Sequence, residues 1–227
     1  MPKEDASYPT SETGQPRTLE SLENEGGRRF SRSVARNREV IREALLDNID
    51  ADAAVLEIGS GTGEHGIFVT EQAGALKWTF SDTNDEALSG ITAWMEHTQR
   101  ATCLGPYKID ASRDAWGQEV EAGKYDVIFT ANVAHIAPFS FTEGLFNGAA
   151  RLLSTGGKLV FYGPFARNGK MVASNMQFDA DLKRRDAEWG VRDLETELIP
   201  LAHKHGLSLD LIASMPKNNL MLFFSRA

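Results

Sequence analysis

Cysteine is nearly absent from this chain. Cys103 stands alone among 227 residues, which excludes an internal disulfide and suits a reducing compartment. Histidine is scarce too, with five in the chain, and His203 and His205, two apart on a predicted helix, point to different faces. A cysteine–histidine metal site is not expected, so only carboxylate and amide clusters remain as ligands, for magnesium. No apolar run approaches the length of a membrane span, and the N-terminus has no signal-peptide core. Basic residues are the minority charge: 24 Lys and Arg against 32 Asp and Glu give a net charge of −8, which argues against a general nucleic-acid binder. These shortages point to a cytoplasmic protein that takes neither nucleic acid nor a membrane as partner. Monomer and homodimer stay equally open.

What is present is an ordinary share of apolar residues, 41 %, enough for one sizeable core. Residues 1–27 hold six acids and two bases, a net of −4 and so half the charge of the chain. They read as a flexible tail, with a lid as the alternative. Residues 28–227 read as a single domain. From Arg28 the run RRFSRSVARNREVIREALLDNI has apolar residues at helical spacing, and its arginines read as a solvated basic face.

Strands and helices then alternate. Strands are expected at 55–58, 76–80, 106–110, 125–130 and 158–163, and helices at 64–73, 84–98 and 140–153. Such alternation means βαβ units with right-handed crossovers, hence a doubly wound, mostly parallel α/β sheet. After a long irregular stretch with a helix at 177–187 comes a helix at 193–205. The chain closes with strands at 207–213 and 220–225, joined by a link too short for a parallel crossover. The last of seven strands therefore runs antiparallel. Ligands in such sheets sit at the carboxyl ends of the strands. Those ends carry Gly59–Gly63, Asp82, Asp110, Asn132 and Tyr162.

The stretch AAVLEIGSGTGEHG at 53–66 is the centre of the pattern. A dinucleotide fingerprint needs Gly-x-Gly-x-x-Gly directly after the strand. Counting from Gly59 fails at Glu64, and counting from Gly61 to Gly66 begins two residues late. Gly59, Gly61 and Gly63, preceded by Glu57, instead resemble the first motif of class I S-adenosylmethionine-dependent methyltransferases. An acid near the turn also suits an ammonium better than a pyrophosphate. Asp82 can grip a ribose diol. Asp110, followed by Ala111, stands where such enzymes meet the adenine amino group. A nicotinamide dehydrogenase remains the minor alternative.

Several stretches are similar to the methyltransferase-like protein 26 family. They are Ala35-Arg36-Asn37, LEIGSGTGEH at 56–65, Ser81-Asp82, ANVAHIAP at 131–138, FYGPF at 161–165, SNMQFDADLKRRDAEWGVRD at 174–193 and MPKNNL at 215–220. The resemblance covers about residues 30–227 and implies S-adenosylmethionine as cofactor, with S-adenosylhomocysteine as product. The chain departs from the family in its acidic tail and in Gly59, where alanine is expected in many members. The cofactor-binding set so implied is Glu57, Gly59, Ser60, Gly61, Thr62, Gly63 and His65, then Asp82, Asp110, Ala111 and Asn132, with Arg36 and Asn37 closing the other side. The segment 164–192 reads as an insertion that forms acceptor pocket and lid. Tyr162, Asn175, Phe178, Trp189, Arg192 and Asn219 are the candidate contacts for a small-molecule methyl acceptor. His135 is the candidate general base, with Asn132 and Tyr162 beside it. A non-catalytic cofactor-binding protein is the alternative on the same fold.

Overall fold

The computed structural model describes residues 23–226. The acidic tail expected over 1–27 lies outside the described residues up to residue 22. Its last residues form a hairpin, in which β1 (Glu23–Glu25) pairs antiparallel with β2 (Arg28–Phe30). Helix α1 (Arg32–Leu46) follows, capped by Ser31. The alternating part comprises β3 (Ala54–Glu57), α2 (Glu64–Gln72), β4 (Lys77–Asp82), α3 (Asp85–Thr98), β5 (Cys103–Lys108), β6 (Tyr125–Ala131), α4 (Phe139–Leu152) and β7 (Leu153–Gly163). Then come α5 (Ala173–Arg185), a π-helical turn Leu194–Leu198 running into α6 (Ile199–Lys204), and β8 (Leu207–Met215) with β9 (Asn219–Arg226).

The large sheet has seven strands in the order β5-β4-β3-β6-β7-β9-β8. Pairs among β3 to β7 are parallel, whereas β9 runs antiparallel to both β7 and β8. The fold is thus the expected one, with the last strand reversed. Side-chain alternation splits the core in two. Leu56, Ile128, Phe161 and Phe224 pack toward α4 and α6. Val55, Phe129, Val160 and Phe223 pack toward α1, α2 and α3. The first layer includes Phe146, whose ring lies 5.6 Å from Phe161 and 5.2 Å from Phe224.

Local chemistry moves some boundaries. Pro200 lacks the N–H that an α-helix would send back to Thr196, so the turn before it widens: Leu198 N–H donates to Asp193 O. The third core strand begins and ends earlier than expected, which leaves Asp110 two residues beyond β5. Helix α5 starts four residues earlier than expected and ends two earlier. The arginine-rich run is not a purely solvated face. Arg28 stacks on Trp94 at 5.0 Å, Trp94 Nε1–H donates to Arg29 O at 3.2 Å, and Arg38 and Arg42 both lie over Phe68. These contacts seat the hairpin on α3 and α1 on α2, which fixes where α1 begins.

Helix α2 approaches β4 closely at Gly66. A Cβ there would lie 2.3 Å from Trp78 Nε1 and 2.4 Å from Phe80 Cε1. Gly66→Ala should therefore force Trp78 or the helix aside and cost roughly 1–3 kcal/mol. A urea titration of the variant tests this: a lower midpoint with unchanged slope is expected, and an unchanged midpoint would contradict the packing described.

Candidate active site

The turn after β3 is built from backbone that only glycine adopts easily. Gly59, Gly61 and Gly63 have φ of 74°, 57° and 78°. Close packing adds to the requirement, since a Cβ on Gly59 would lie 2.7 Å from Val133 and one on Gly63 2.9 Å from Ile91. At Gly61 the space beside the backbone is open, with nothing within 4 Å. Internal bonds hold the turn. Ser60 N–H donates to Ser81 O, Gly63 N–H to Ser60 O, and Gly61 N–H to Asp82 Oδ2 at 2.8 Å. Asp82 Oδ1 accepts from Asn84 N–H at 3.0 Å.

A cavity of about 1140 Å³ runs across the carboxyl ends of the strands. Its floor is Ile58 and Gly59–Thr62 from the first turn, Asp82 and Thr83 after β4, Ile109, Asp110 and Ser112 after β5, and Ala131–Val133 after β6. Helix α1 walls it through Ser31, Arg32, Ser33, Val34 and Asn37. One face of α5 closes it, with Ser174, Gln177, Phe178, Asp181 and Arg185 at helical spacing. Ile136, Pro138 and Phe141 add apolar wall.

Ten of the predicted site residues line this cavity: Asn37, Gly59, Ser60, Gly61, Thr62, His65, Asp82, Asp110, Asn132 and Phe178. The other ten do not. Glu57 is odd-numbered like Val55, so strand alternation turns it under the sheet, where Trp78 Nε1–H donates to its Oε2 at 2.9 Å. Gly63 is packed against Ile91 at the start of α2. Arg36 points to solvent, one step round the helix from Asn37. Ala111 is buried under α4, and a Cβ on Gly144 would overlap its carbonyl oxygen.

On the α5 side, the other residues expected to contact an acceptor act as tethers. Arg192 is buried, and its guanidinium donates to the carbonyls of Ala134, Ala137 and Glu188 at 3.0, 2.6 and 3.1 Å. It pins the loop after β6 instead of reaching the cavity. Tyr162 is buried, and its hydroxyl accepts from Asn219 Nδ2 at 3.2 Å. Asn175 Nδ2 donates to Asn218 O, and Asn218 Nδ2 to Ser174 Oγ, both at 3.3 Å. Two motifs some forty residues apart thereby tie the start of α5 to the β8–β9 turn. Trp189 is half-buried beside this tethered segment. His135 sits behind Phe178, ring edge to ring face at 5.2 Å.

The cavity residues that sequence reasoning missed include one face of α5 and the start of α1. Gln177, Asp181 and Arg185 share a face with Ser174 and Phe178, at spacings of three and four. That periodicity was readable once the helix start is known to be Ala173. The first turn of α1 was missed because Gly26-Gly27, whose positive φ makes the turn of the hairpin that delivers it, reads in sequence as part of a flexible tail.

Burial sets the protonation states. Glu57 is pushed up to about 7 by loss of water, against the opposing hydrogen bonds from Trp78 and Ser60. His65 is pulled down to about 4 and His135 to about 3 by burial, the latter also by the charge of Arg192. Both imidazoles are neutral at physiological pH. His65 Nε2 lies 3.1 Å from Asn37 Oδ1, a bond made when Nε2 carries the proton. Asp110 behaves oppositely. Burial alone would raise it, but the hydroxyl and N–H of Ser112, at 2.5 and 3.0 Å, together with Arg113, hold it below the usual range. Buried Glu64 accepts from Ser31 N–H at 2.6 Å and from Thr62 Oγ–H at 2.8 Å, which joins the start of α1 to the turn.

Among the described residues, no group of histidine, cysteine and carboxylate side chains is placed to hold a metal, and no helix is long and apolar enough to cross a membrane. Solved structures that share the fold include methyltransferases. A putative sarcosine dimethylglycine methyltransferase from Galdieria sulphuraria superposes with a TM-score of 0.66 at 13 % identity, covering 92 % of this chain and 95 % of that one. CalO1, a methyltransferase in calicheamicin biosynthesis in its S-adenosylhomocysteine-bound form, gives 0.68 at 16 %, covering 86 % and 54 %. An O-methyltransferase family 2 protein from Planctomyces limnophilus in complex with apigenin gives 0.69 at 16 %, covering 86 % and 60 %. In sequence, 106 residues are 31 % identical to the highly reducing polyketide synthase aurA of Calcarisporium arbuscula, 47 % of this chain but 4 % of that protein. The lovastatin diketide synthase mokB of Monascus pilosus matches at 27 % over 140 residues, 58 % of this chain and 5 % of that protein. The chain thus spans only about one-twentieth of the length of these curated relatives. A family profile described as protein of unknown function (DUF938) matches residues 28–226, and the chain belongs to that family.

Proposed function

We propose that this protein is an S-adenosylmethionine-dependent methyltransferase acting on a small molecule. One observation carries the reading: a single cavity collects the open glycine turn, the two carboxylates Asp82 and Asp110 at neighbouring strand ends, and a separate wall from α5. The S-adenosylhomocysteine-bound neighbour supports the choice of cofactor, and the apigenin complex supports a small acceptor. The shared motifs support kinship with the methyltransferase-like protein 26 family, the single buried Cys103 suits the cytoplasm, and the extent of the family match supports one domain over 28–227.

The residues present fit the cofactor. Asp82 accepts one bond at each oxygen and retains lone pairs for a ribose diol. Asp110, held ionised, is an acceptor for an exocyclic amine, with Ile109 beside it as apolar wall. Asn37 and neutral His65 offer an uncharged polar pair opposite Gly59–Thr62. When bound, the cofactor supplies a methyl group on a positively charged sulfur, which needs no metal to leave. The chain's own work is to align the acceptor and exclude water, and alignment alone supplies up to roughly 7–11 kcal/mol. Asn132, in the left-handed region at φ 59°, faces the cavity from the end of β6 and is assigned to acceptor orientation. His135 is assigned to the wall behind Phe178, because an imidazole with a pKa of about 3 is a weak base.

That weak base favours one second reading, a protein that holds the cofactor without transferring its methyl. Turnover of radiolabelled cofactor with a metabolite extract separates the two: labelled product is expected, and its absence despite tight binding supports the second.

Calorimetry with S-adenosylhomocysteine should show saturable binding by the wild type. Asp82→Ala, which removes a charged acceptor and frees Gly61 N–H, should weaken it by roughly tenfold or more. No binding by the wild type would contradict the reading. Stability should also depend on His135. Its folded-state pKa lies below that of the unfolded chain, so its share of stability is complete above about pH 6.5 and is lost as pH falls toward 3. His65 acts in the same sense down to about 4, while Glu57 opposes between about 4.5 and 7. Urea midpoints at pH 7.5 and pH 5 should show His135→Gln losing about 2 kcal/mol less on acidification than the wild type. Equal losses would mean that His135 is not buried neutral.

A further inference from the structure

The last turn of α5 carries three cations in a row. Lys183 is paired with Asp179 at 2.7 Å, and Arg184 is paired with Asp181. Arg185 makes no ion pair or hydrogen bond among the described residues, and it is the one of the three that lines the cavity. Asp181 also faces the cavity, but Arg184 balances it. Among the described residues, Arg185 is thus the cavity-lining cation of this turn whose charge no carboxylate offsets. Phe178 lies seven residues before Arg185 on the same face, about 10 Å along the helix axis. Ile136, 43 % exposed, stands on the cavity wall with it.

We propose that the methyl acceptor is an elongated molecule with an apolar body against Phe178 and Ile136 and an oxyanion, carboxylate or phosphate, held by Arg185 at the cavity mouth. The inference rests on the methyltransferase reading and deepens it. A planar guanidinium without a carboxylate partner presents its donors in the fork that matches such an anion. The apolar wall removes water from the acceptor body, and the anion stays at the wetter rim. Both acids of the floor, Asp82 and Asp110, lie at other strand ends, so they do not compete for Arg185.

The test uses the full chain saturated with S-adenosylhomocysteine. Four phenolic probes are titrated by calorimetry: 4-hydroxycinnamate, 2-(4-hydroxyphenyl)ethyl phosphate, the neutral 4-hydroxycinnamamide and the cationic tyramine. At least one anion should bind roughly tenfold tighter than the amide and tyramine, and which one does so distinguishes carboxylate from phosphate. Arg185→Gln should erase that preference, and Arg185→Lys should restore part of it. Equal affinities, absence of binding by both anions, or a preference that survives Arg185→Gln would overturn the proposal. Failure of S-adenosylhomocysteine itself to bind would instead sink the methyltransferase reading.

Discussion

The bond from Gly61 N–H to Asp82 Oδ2 is the constraint on which the rest of the site depends. It joins the turn after β3 to the end of β4 and holds three glycines in backbone that other residues enter at a cost. Around it the sheet supplies the foundation. Ser81 Oγ–H donates to Glu57 O at 2.6 Å, and Thr130 Oγ–H donates to Ile58 O at 2.9 Å, so the strand beneath the turn is laced to both neighbours. Glu57 serves this foundation from below through Trp78, and Glu64 ties the start of α1 to the same turn. The Asp82 side of the cavity is therefore held by hydrogen bonds within the protein itself.

The other half is held differently. Helix α5 is tied at its start by Asn175 and Ser174 to the β8–β9 turn. The segment after it returns to the loop beyond β6 through Gly190 N–H to His135 O and through the three bonds of Arg192. These tethers are polar and few, in contrast to the packed aromatic layer under β7 and β9. A wall held this way leaves its cavity face free to vary in chemistry. Of the tethers, Asn175 and Arg192 are buried, while the cavity-facing Gln177, Asp181 and Arg185 are polar.

Much of this was legible in the chain itself. Alternating strands and helices, and the short link before the last strand, specify the sheet because period and connection length leave few topologies. The glycine turn, Asp82, Asp110 and Asn132 were readable because a doubly wound sheet puts strand ends in one place. Strand alternation would have turned Glu57 away from the site had it been applied to that residue. Tyr162 looked like an acceptor contact because it ends a strand, Asn175 and Arg192 because polar residues in an irregular stretch suggest a site, and Asn219 because it belongs to the MPKNNL motif in the closing hairpin. Their long-range partners, such as Asn218 for Asn175, are invisible in sequence. The Gly26-Gly27 turn of the hairpin at 23–30 was legible, but its three-residue, mostly charged strands lack apolar alternation and rest on Trp94 of a distant helix.

In the proposed methyltransferase, one cavity holds the nucleoside on the Asp82–Asp110 side and leaves the α5 side for an acceptor. A crystal structure with S-adenosylhomocysteine tests it most directly. The ribose is expected at Asp82, the adenine near Asp110 and Ile109, the amino-acid end near Gly59–Thr62 and Asn37, and open space between the sulfur and Phe178. A ligand bound outside this cavity, or one whose amino-acid end fills the space under α5, would contradict it.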